Sequence, residues 1–287
     1  MRARMKLAMN IEPLDLDQTL GCGQTFRWHR SADGCWTGPL DGQVIRLSAR
    51  GTNIEVDAHP GGPGVRALVA SHLRAEDDVP KIQRALARDP VLRRGLPHVK
   101  GLRIVKMDEW ECLVSFVLAT YANIPRISGM IDTISERYGS PIGDGVNAFP
   151  RHSQLSKASS AELARCGLGY RANYLRELCD EIDDHAIKQM KRLPFERLRE
   201  KLKELPGVGD KVADCVSLFG FGRLEAFPID VWMERALARL YRKKGTYREL
   251  REFAASKFGQ YAGYAQEYLY FNERLNAGNG ACVFSNE

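Results

Sequence analysis

One stretch, residues 202–230, constrains the fold of this chain more than any other: it reads LKELPGVGDKVADCVSLFGFGRLEAFPID. An amphipathic helix runs into the LPGVG segment, where Pro206 cannot continue it, because proline has no N–H to donate within a helix. Gly207 and Gly209 are expected to take the positive φ values of a tight turn. Asp210 is then expected to cap a second helix. The stretch therefore predicts two helices joined by a short hairpin.

The glycines of this hairpin leave backbone N–H groups uncovered at the start of the second helix. Such groups, together with the positive end of the helix dipole, suit an anion such as a nucleic-acid phosphate. No side chain of the turn reads a base, so contacts at Gly207 and Gly209 would position DNA without selecting its sequence.

Two charged residues make the same stretch a possible site of chemistry. Lys211 lies in the first turn of the second helix, and Asp230 follows 19 residues later at the expected start of the next helix. The helix dipole disfavours a cation at this position and favours the neutral amine, which is the nucleophilic form. An amine beside a carboxylate can attack a sugar carbon and form a Schiff base. The alternative is a lysine that is solvated or pairs with Asp214 or Cys215, and an aspartate that only caps its helix.

The segments LPGVGDKVADC and FPIDV resemble the helix-hairpin-helix DNA glycosylases, and within them the 8-oxoguanine DNA glycosylases. The resemblance runs from about residue 14 to residue 271. It implies that Lys211 is the nucleophile, that Asp230 is the catalytic carboxylate and that Cys215 lies close to the lysine. It also implies that the target base is flipped into a pocket, because the reacting sugar carbon is inaccessible within the base stack.

Two segments resemble the parts of these enzymes that bind the flipped base. In GCGQTFRW, the resemblance implies that the Gly23 carbonyl accepts the N7 hydrogen of an 8-oxidised guanine, which normal guanine lacks. In YAGYAQEYLY, it implies that Gln266 hydrogen-bonds the base and that Tyr270 stacks on it, where the family has phenylalanine. Taken alone, Gly23 suits a turn between strands, and the second segment suits a helix with core aromatics.

Other residues resemble those that fill the gap in the duplex and read the opposite base. In GLGYRANY, Tyr170 matches the aromatic wedge. Arg171 of this segment and Arg126 of the earlier run YANIPR match the two arginines that recognise the orphaned cytosine. Each arginine alone would suit a phosphate contact or a solvated charge. Tyr121 replaces the family's asparagine. It is expected either to fill the vacated space by stacking or to end the preceding helix and pack on the core.

Short β-rich runs separated by Asp-Gly turns, then helical patterns, predict an α+β fold with an N-terminal antiparallel sheet packed on a helical core. The predicted strands are Thr25–Trp28, Gly34–Gly38, Gln43–Leu47 and Asn53–Val56, and helices are predicted at Val65–Leu73, at Val79–Ala87 and almost throughout from Asp108. We expect a sheet domain with flanking helices over residues 1–98 and a catalytic domain over residues 99–287, with the helix-hairpin-helix at about 195–220.

Composition excludes little, but the cysteines bear on cofactors. The net charge of +6 is compatible with a polyanionic partner and equally with an ordinary protein. Seven cysteines without a C-x-x-C pair indicate reduced thiols in a cytosolic setting and no zinc ribbon. Some helix-hairpin-helix glycosylases carry a four-cysteine loop after the catalytic domain, where this chain has only Cys282. We therefore expect no iron–sulfur cluster, no metal and no required cofactor.

The N-terminus predicts neither a signal peptide nor a membrane span. We expect a monomer that acts on double-stranded DNA containing oxidised guanine, in the nucleoid-containing cytoplasm of a prokaryote or in the nucleus of a eukaryote. The expected activity is base excision repair by a bifunctional DNA N-glycosylase and abasic-site lyase that removes 8-oxoguanine. Two alternatives remain: an alkylated-base glycosylase of the same fold, which generally lacks the lysine, and a DNA-binding module without chemistry.

Overall fold

The computed structural model describes residues 3–279, with side chains as far as Arg274. Cys282, on which the expected absence of an iron–sulfur cluster depends, lies outside the described residues. The chain forms an antiparallel sheet followed by a helical core, so the predicted α+β class is confirmed. Among the described residues, no helix has the length and apolarity needed to cross a membrane.

The sheet has five antiparallel strands in the order β1-β5-β4-β3-β2. They are β1 (Met5–Asn10), β2 (His29–Arg30), β3 (Trp36–Leu40), β4 (Gln43–Arg50) and β5 (Asn53–His59). Asp41 and Gly42 join β3 to β4 with φ of 42° and 73°, as a two-residue hairpin turn requires. The first strand has no counterpart among the predicted runs, whereas β3, β4 and β5 overlap three of them.

The predicted strand at Thr25–Trp28 is wrong, because this segment is irregular and wholly buried instead of alternating. Hydrogen bonds from the side chain of Gln24 to backbone groups hold this segment, instead of backbone bonds to a neighbouring strand. Its amide nitrogen donates to the carbonyls of Thr19 (2.7 Å) and Arg103 (2.8 Å), and its oxygen accepts from the N–H of Val105 (2.9 Å). A buried side chain that satisfies several backbone groups can hold a segment in place without a strand ladder.

Helices make up most of the remaining chain. This confirms the helices predicted at Val65–Leu73 and Val79–Ala87 and the mostly helical chain predicted from Asp108. Those before the hairpin are α1 (Leu16–Gly21), α2 (Val65–His72), α3 (Val79–Leu86), α4 (Pro90–Gly95), α5 (Glu109–Leu118), α6 (Ile124–Tyr138), α7 (His152–Leu155), α8 (Ser160–Leu163), α9 (Arg171–Glu181) and α10 (Asp184–Met190). They are followed by α11 (Phe195–Lys203), α12 (Asp210–Cys215), α13 (Val231–Tyr241), α14 (Tyr247–Phe258) and α15 (Ala262–Asn279). A two-stranded ribbon, β6 (Pro141–Gly143) and β7 (Val146–Asn147), interrupts the helices between α6 and α7.

A buried arginine ties the sheet region to the helices. The Arg103 side chain is 1% exposed and donates to the carbonyls of Pro13, Leu73, Arg74 and Asp77 at 2.9–3.2 Å. These bonds compensate for taking the guanidinium out of water. The hydrophobic core is continuous on both sides of this segment. The domain boundary at residues 98/99 therefore stays a prediction.

The hairpin between α11 and α12 differs from expectation in two respects. Gly207 has φ +75°, as predicted, but Gly209 has φ −91°, so one of the two glycines takes the left-handed conformation. Asp210 does not cap α12: Gly209 occupies the cap position. The Asp210 carboxylate instead pairs with Arg199 (2.5 Å) and Lys203 (2.6 Å) of α11, and these ion pairs join the two helices.

Candidate active site

Lys211 and Asp230 line the same cavity, of about 50 Å³, although they lie on separate elements. The Lys211 amine lies 5.0 Å from the centre of the Phe116 ring, and its side chain is half-buried. Asp230 precedes α13, and its Oδ1 accepts from the N–H of Met233 at 2.9 Å. Capping therefore fixes the carboxylate at the cavity, and the predicted pair of amine and carboxylate is brought together.

Four other predicted residues meet at this cavity from different parts of the chain: Gly23, Cys215, Gln266 and Tyr270. Burial raises the pKa of the Cys215 thiol to about 12, although the nearby Lys211 lowers it. The thiol is therefore neutral at physiological pH and offers a soft apolar surface to a flat ring. Tyr270 lines the cavity as well, so an aromatic ring and a sulfur atom are available to contact a base.

Gly23 has a backbone conformation that other residues take at a cost. Its φ is +98°, and an added Cβ would collide with the Cδ1 atom of Ile124 and lie 3.2 Å from the Arg274 guanidinium. A side chain at this position would therefore strain the backbone and displace its neighbours. The absence of a side chain leaves the Gly23 backbone accessible at the cavity.

Glu267 also lines the cavity and is a residue that the sequence reasoning missed. It is 2% exposed, and burial raises the pKa of its carboxyl to about 7, although hydrogen bonding to Cys22 and the charge of Arg274 lower it. Its Oε1 has no hydrogen-bond partner among the described residues. The signal that could have indicated it is a glutamate inside the otherwise apolar run YAGYAQEYLYF.

Replacing Glu267 by glutamine is expected to change how stability depends on pH. Because the folded-state pKa is raised to about 7 from 4.5, the folded protein binds one more proton than the unfolded chain between these values, and its stability falls as pH rises through this range. Glutamine has no such proton. The free energy of unfolding of Glu267→Gln, relative to wild type, should therefore increase by up to about 3 kcal/mol from acidic to neutral pH and then level off.

Urea unfolding at a series of pH values measures this difference. Glu225→Gln is the matched control, because Glu225 is exposed. A difference between Glu267→Gln and wild type that does not vary with pH would contradict the prediction.

A groove of about 830 Å³ lies at the mouth of the cavity and shares Gly23, Phe116, Lys211, Asp230 and Tyr270 with it. The large apolar side chains that the structure leaves most exposed are Tyr121 (94%), Val231 (57%), Tyr170 (51%), Tyr174 (39%) and Trp232 (36%). Three of them, Tyr121, Val231 and Trp232, line this groove. A groove with exposed apolar side chains at its edge suits a large partner better than a small molecule.

Tyr121 does not pack on the core, so the second of its two expected roles is wrong. Helix α5 ends at Leu118, and Tyr121 follows in a tight turn with φ +52°, which directs its ring into solvent. A bulky residue rarely takes a positive φ, and such strain is often found at functional positions. The gap-filling role stays a prediction.

Tyr121→Ala is expected to weaken binding to lesion duplexes and slow base release, with little change in thermal stability because the ring is exposed. Stacking on an aromatic ring contributes about 1–3 kcal/mol per base, so the affinity for lesion duplexes should fall by about 10-fold or more. Tyr121→Asn should restore part of the activity and sharpen preference for an opposite cytosine, since asparagine tolerates the positive φ. Fluorescence anisotropy, single-turnover base release and melting temperature test this. A large fall in melting temperature with normal turnover by the folded fraction would exclude the gap-filling role.

The two arginines expected to read the opposite base differ in surroundings. Arg126 is exposed in the first turn of α6. Arg171 is 4% exposed, and its Nε and Nη2 atoms both donate to the Thr120 carbonyl next to Tyr121. Its guanidinium also lies 4.5 Å from the Tyr170 ring centre. Arg171 therefore supports the Tyr121 turn in this structure, and its part in reading cytosine stays a prediction.

Arg126→Ala and Arg171→Ala are both expected to relax discrimination among opposing bases. A good base contact contributes about 1–3 kcal/mol of preference. The free-energy preference for cytosine over adenine, taken from the ratio of the two rates, should therefore fall by roughly that amount for each variant. Rates of base release from duplexes with each of the four opposing bases measure this preference. Equal weakening against every opposing base would instead identify these arginines as phosphate contacts.

The hairpin glycines lie beside this groove. An added Cβ at Gly207 would approach Val117 Cγ1 to 3.0 Å and Tyr174 Cγ to 3.2 Å. Gly209 occupies the N-cap position of α12 and has no side chain that could cap the first N–H groups of the helix. The phosphate contact predicted for Gly207 and Gly209 stays a prediction.

Comparison with known proteins accounts for nearly the whole chain. Residues 6–113 match the model of the 8-oxoguanine DNA glycosylase N-terminal domain, and residues 114–260 match that of the HhH-GPD superfamily of base excision DNA repair proteins. The chain belongs to the 8-oxoguanine DNA glycosylases of the HhH-GPD superfamily. The first match covers the sheet and helices α1 to α4, and the second covers the helical core as far as α14.

Several relatives cover most of the chain. It is 31% identical to the N-glycosylase/DNA lyase of Saccharomyces cerevisiae, over 93% of this chain and 85% of the relative. It is 28% identical to the N-glycosylase/DNA lyase OGG1 of Arabidopsis thaliana, over 93% and 79%. The 8-oxoguanine glycosylase/lyase of Clostridium acetobutylicum, solved in complex with double-stranded DNA containing cytosine opposite to 8-oxoG, superposes with a TM-score of 0.87 at 30% identity, over 96% of this chain and all (100%) of that one.

Proposed function

We propose that this protein is a base excision repair enzyme that removes 8-oxoguanine from double-stranded DNA and cleaves the resulting abasic site. The observation that carries the proposal is the placement of Lys211 and Asp230 in one cavity at the bottom of the groove edged by Tyr121. The family to which the chain belongs, and the relatives named as N-glycosylase/DNA lyases, support the same activity.

The chemistry starts with the Lys211 amine attacking the C1′ carbon of the flipped nucleotide. The bond from C1′ to the base nitrogen breaks, and its electron pair leaves with the base, which takes up a proton. The Asp230 carboxylate stabilises the positive charge that develops on the sugar. Loss of a proton from the lysine nitrogen and opening of the sugar ring give a Schiff base. Removal of a C2′ proton then expels the 3′ phosphate by β-elimination, which nicks the strand.

The surroundings of the cavity favour an oxidised guanine. The Gly23 carbonyl is proposed to accept the hydrogen at N7, Gln266 to bond the opposite edge of the base, and Cys215 and Tyr270 to contact its faces. A normal guanine has no hydrogen at N7 and would leave a buried carbonyl unpaired, at a cost of about 1–3 kcal/mol. This difference discriminates against the large excess of undamaged bases.

The two alternatives predict different outcomes. An alkylated-base glycosylase of this fold would use water as the nucleophile and would form no covalent adduct with DNA. A helix-hairpin-helix module without chemistry would bind duplexes and leave every base in place. Lys211, half-buried in the cavity that Asp230 also lines, disfavours both.

A panel of duplexes tests the proposal, each with one lesion (8-oxoguanine, an alkylated purine or none) opposite each of the four bases. Base release, strand nicking and borohydride trapping are measured on each duplex. We expect release and trapping with 8-oxoguanine and none with undamaged guanine. Release of an alkylated purine without trapping would identify the first alternative, and binding without release would identify the second.

The proposed reaction needs no cofactor, no metal ion and no iron–sulfur cluster, because an amine and a carboxylate suffice. Activity should therefore persist after dialysis against EDTA in the same assay. The proposed place of action is wherever chromosomal DNA lies, the nucleoid of a prokaryote or the nucleus of a eukaryote.

A further inference from the structure

The two side chains proposed to carry the chemistry lie on different elements of the fold. Lys211 is in α12, and Asp230 lies in the extended segment that leads into α13. The rate of base release depends on their relative position, since a displacement of about 1 Å can cost about 100-fold. A contact that joins these two segments directly can therefore control the rate without touching the substrate.

The hydroxyl group of Tyr247 makes such a contact. It donates to Asp214 Oδ2 at 2.6 Å and accepts from the N–H of Ile229 at 3.3 Å. Asp214 lies three residues after Lys211 in α12, and Ile229 immediately precedes Asp230. One oxygen atom, contributed by the start of α14, thus joins the helix of the amine to the segment of the carboxylate.

This bridge is anchored to the first helix of the hairpin. Arg199 of α11 donates from Nε to Asp214 Oδ1 at 2.8 Å and pairs with Asp210 at the start of α12. Asp214 is fully buried, and the Arg199 guanidinium lies 5.7 Å from the centre of the Tyr247 ring. Burial raises the pKa of Tyr247, so its hydroxyl keeps its proton and remains a donor. Each buried polar atom of the bridge therefore has a fixed partner.

We propose that Tyr247 is a positioning residue that fixes the Asp230 carboxylate relative to the Lys211 amine. The inference rests on the proposed function, because it assigns Tyr247 a part in that reaction. Removal of the hydroxyl leaves the Ile229 N–H without its acceptor and one Asp214 oxygen without its donor. The segment that carries Asp230 can then shift relative to α12.

Tyr247→Phe tests the proposal, because it removes the hydroxyl and keeps the ring. Single-turnover base release from an 8-oxoguanine duplex should slow by about 10- to 100-fold. Affinity for the duplex should stay within about 2-fold, since the ring that lines the groove is retained. Borohydride trapping on a duplex with a preformed abasic site should be close to wild type. There the base has already gone, and the amine needs only to reach the sugar aldehyde.

Tyr241→Phe is the matched control. Tyr241 is at the far end of α13, and its hydroxyl donates to Asp89 at 2.9 Å. It lines neither the cavity nor the groove. This variant should lose a comparable amount of thermal stability and keep wild-type base release, so loss of a part-buried tyrosine hydroxyl alone does not explain the expected effect.

Asp214→Asn provides a second route to the same bridge, and it decides the question if Tyr247→Phe does not fold. It should slow base release more than trapping, and the double variant should be no slower than the slower single variant. The proposal is overturned if Tyr247→Phe releases base at the wild-type rate, or if release and trapping fall in equal proportion. A wild-type protein that releases no base from any lesion would instead overturn the proposed function.

Discussion

Lys211→Gln is expected to abolish strand nicking and borohydride trapping on 8-oxoguanine duplexes while lesion binding is largely retained. The reason is chemical: the amide of glutamine is not a nucleophile and forms no Schiff base. Loss of a nucleophile and its activated environment lowers rates by many orders of magnitude, so residual release should be below about one part in 10⁴ of wild type. Gel-resolved trapping and single-turnover release measure the two steps.

Lys201→Gln is the control for this substitution. Lys201 lies on α11, is exposed and pairs with Glu204 at 2.6 Å, so the same chemical change is made on the same hairpin away from the cavity. It should trap and nick like wild type. Covalent trapping by Lys211→Gln would show that another amine is the nucleophile.

Asp230→Asn has the second-largest expected effect. Base release should fall by about 10²- to 10³-fold, because the developing positive charge on the sugar loses its carboxylate. Binding and stability should change little, because asparagine caps a helix as well as aspartate does and can still accept from the N–H of Met233. Trapping on a preformed abasic site should be less affected than release, since no base has to depart.

Asp183→Asn separates capping from chemistry. Asp183 caps α10 by accepting from Ala186 N–H at 2.8 Å, and it is exposed. The same substitution at this second cap should leave base release unchanged. If Asp230→Asn were as active as Asp183→Asn, the role of Asp230 would be confined to starting α13.

Local sequence predicted the parts of the fold that depend on local chemistry. The Asp41–Gly42 turn, the end of α11 at Lys203 shortly before Pro206 and the helix start at Asp230 follow from the backbone preferences of the residues themselves. The meeting of Gly23, Cys215 and Gln266 at the cavity was expected from resemblance alone, because nothing in their spacing along the chain brings them together.

Features that depend on distant partners escaped prediction. Gln24 holds its segment through bonds to residues 79 and 81 positions away, so a run of β-forming residues did not become a strand. Asp210 was expected to cap α12, but its carboxylate is used by Arg199 and Lys203 instead. The Tyr247 bridge joins residues 33 positions apart, and tyrosine and aspartate at such a separation carry no recognisable pattern.

The anchoring of Gln24 bears on whether the protein can be divided. Its side chain bonds both Thr19, in α1 between β1 and β2 of the sheet, and the Arg103–Val105 segment that leads into α5. The neighbouring Gly23 is thus held in place by both halves, whereas Lys211 and Asp230 belong to the helical half. The residues proposed for the chemistry and the carbonyl proposed for recognising the lesion therefore come from different parts of the chain. A chain without its N-terminal part would keep Lys211 and Asp230 but lose the carbonyl proposed to tell a lesion from an intact base, so the proposed selectivity requires both parts of the chain.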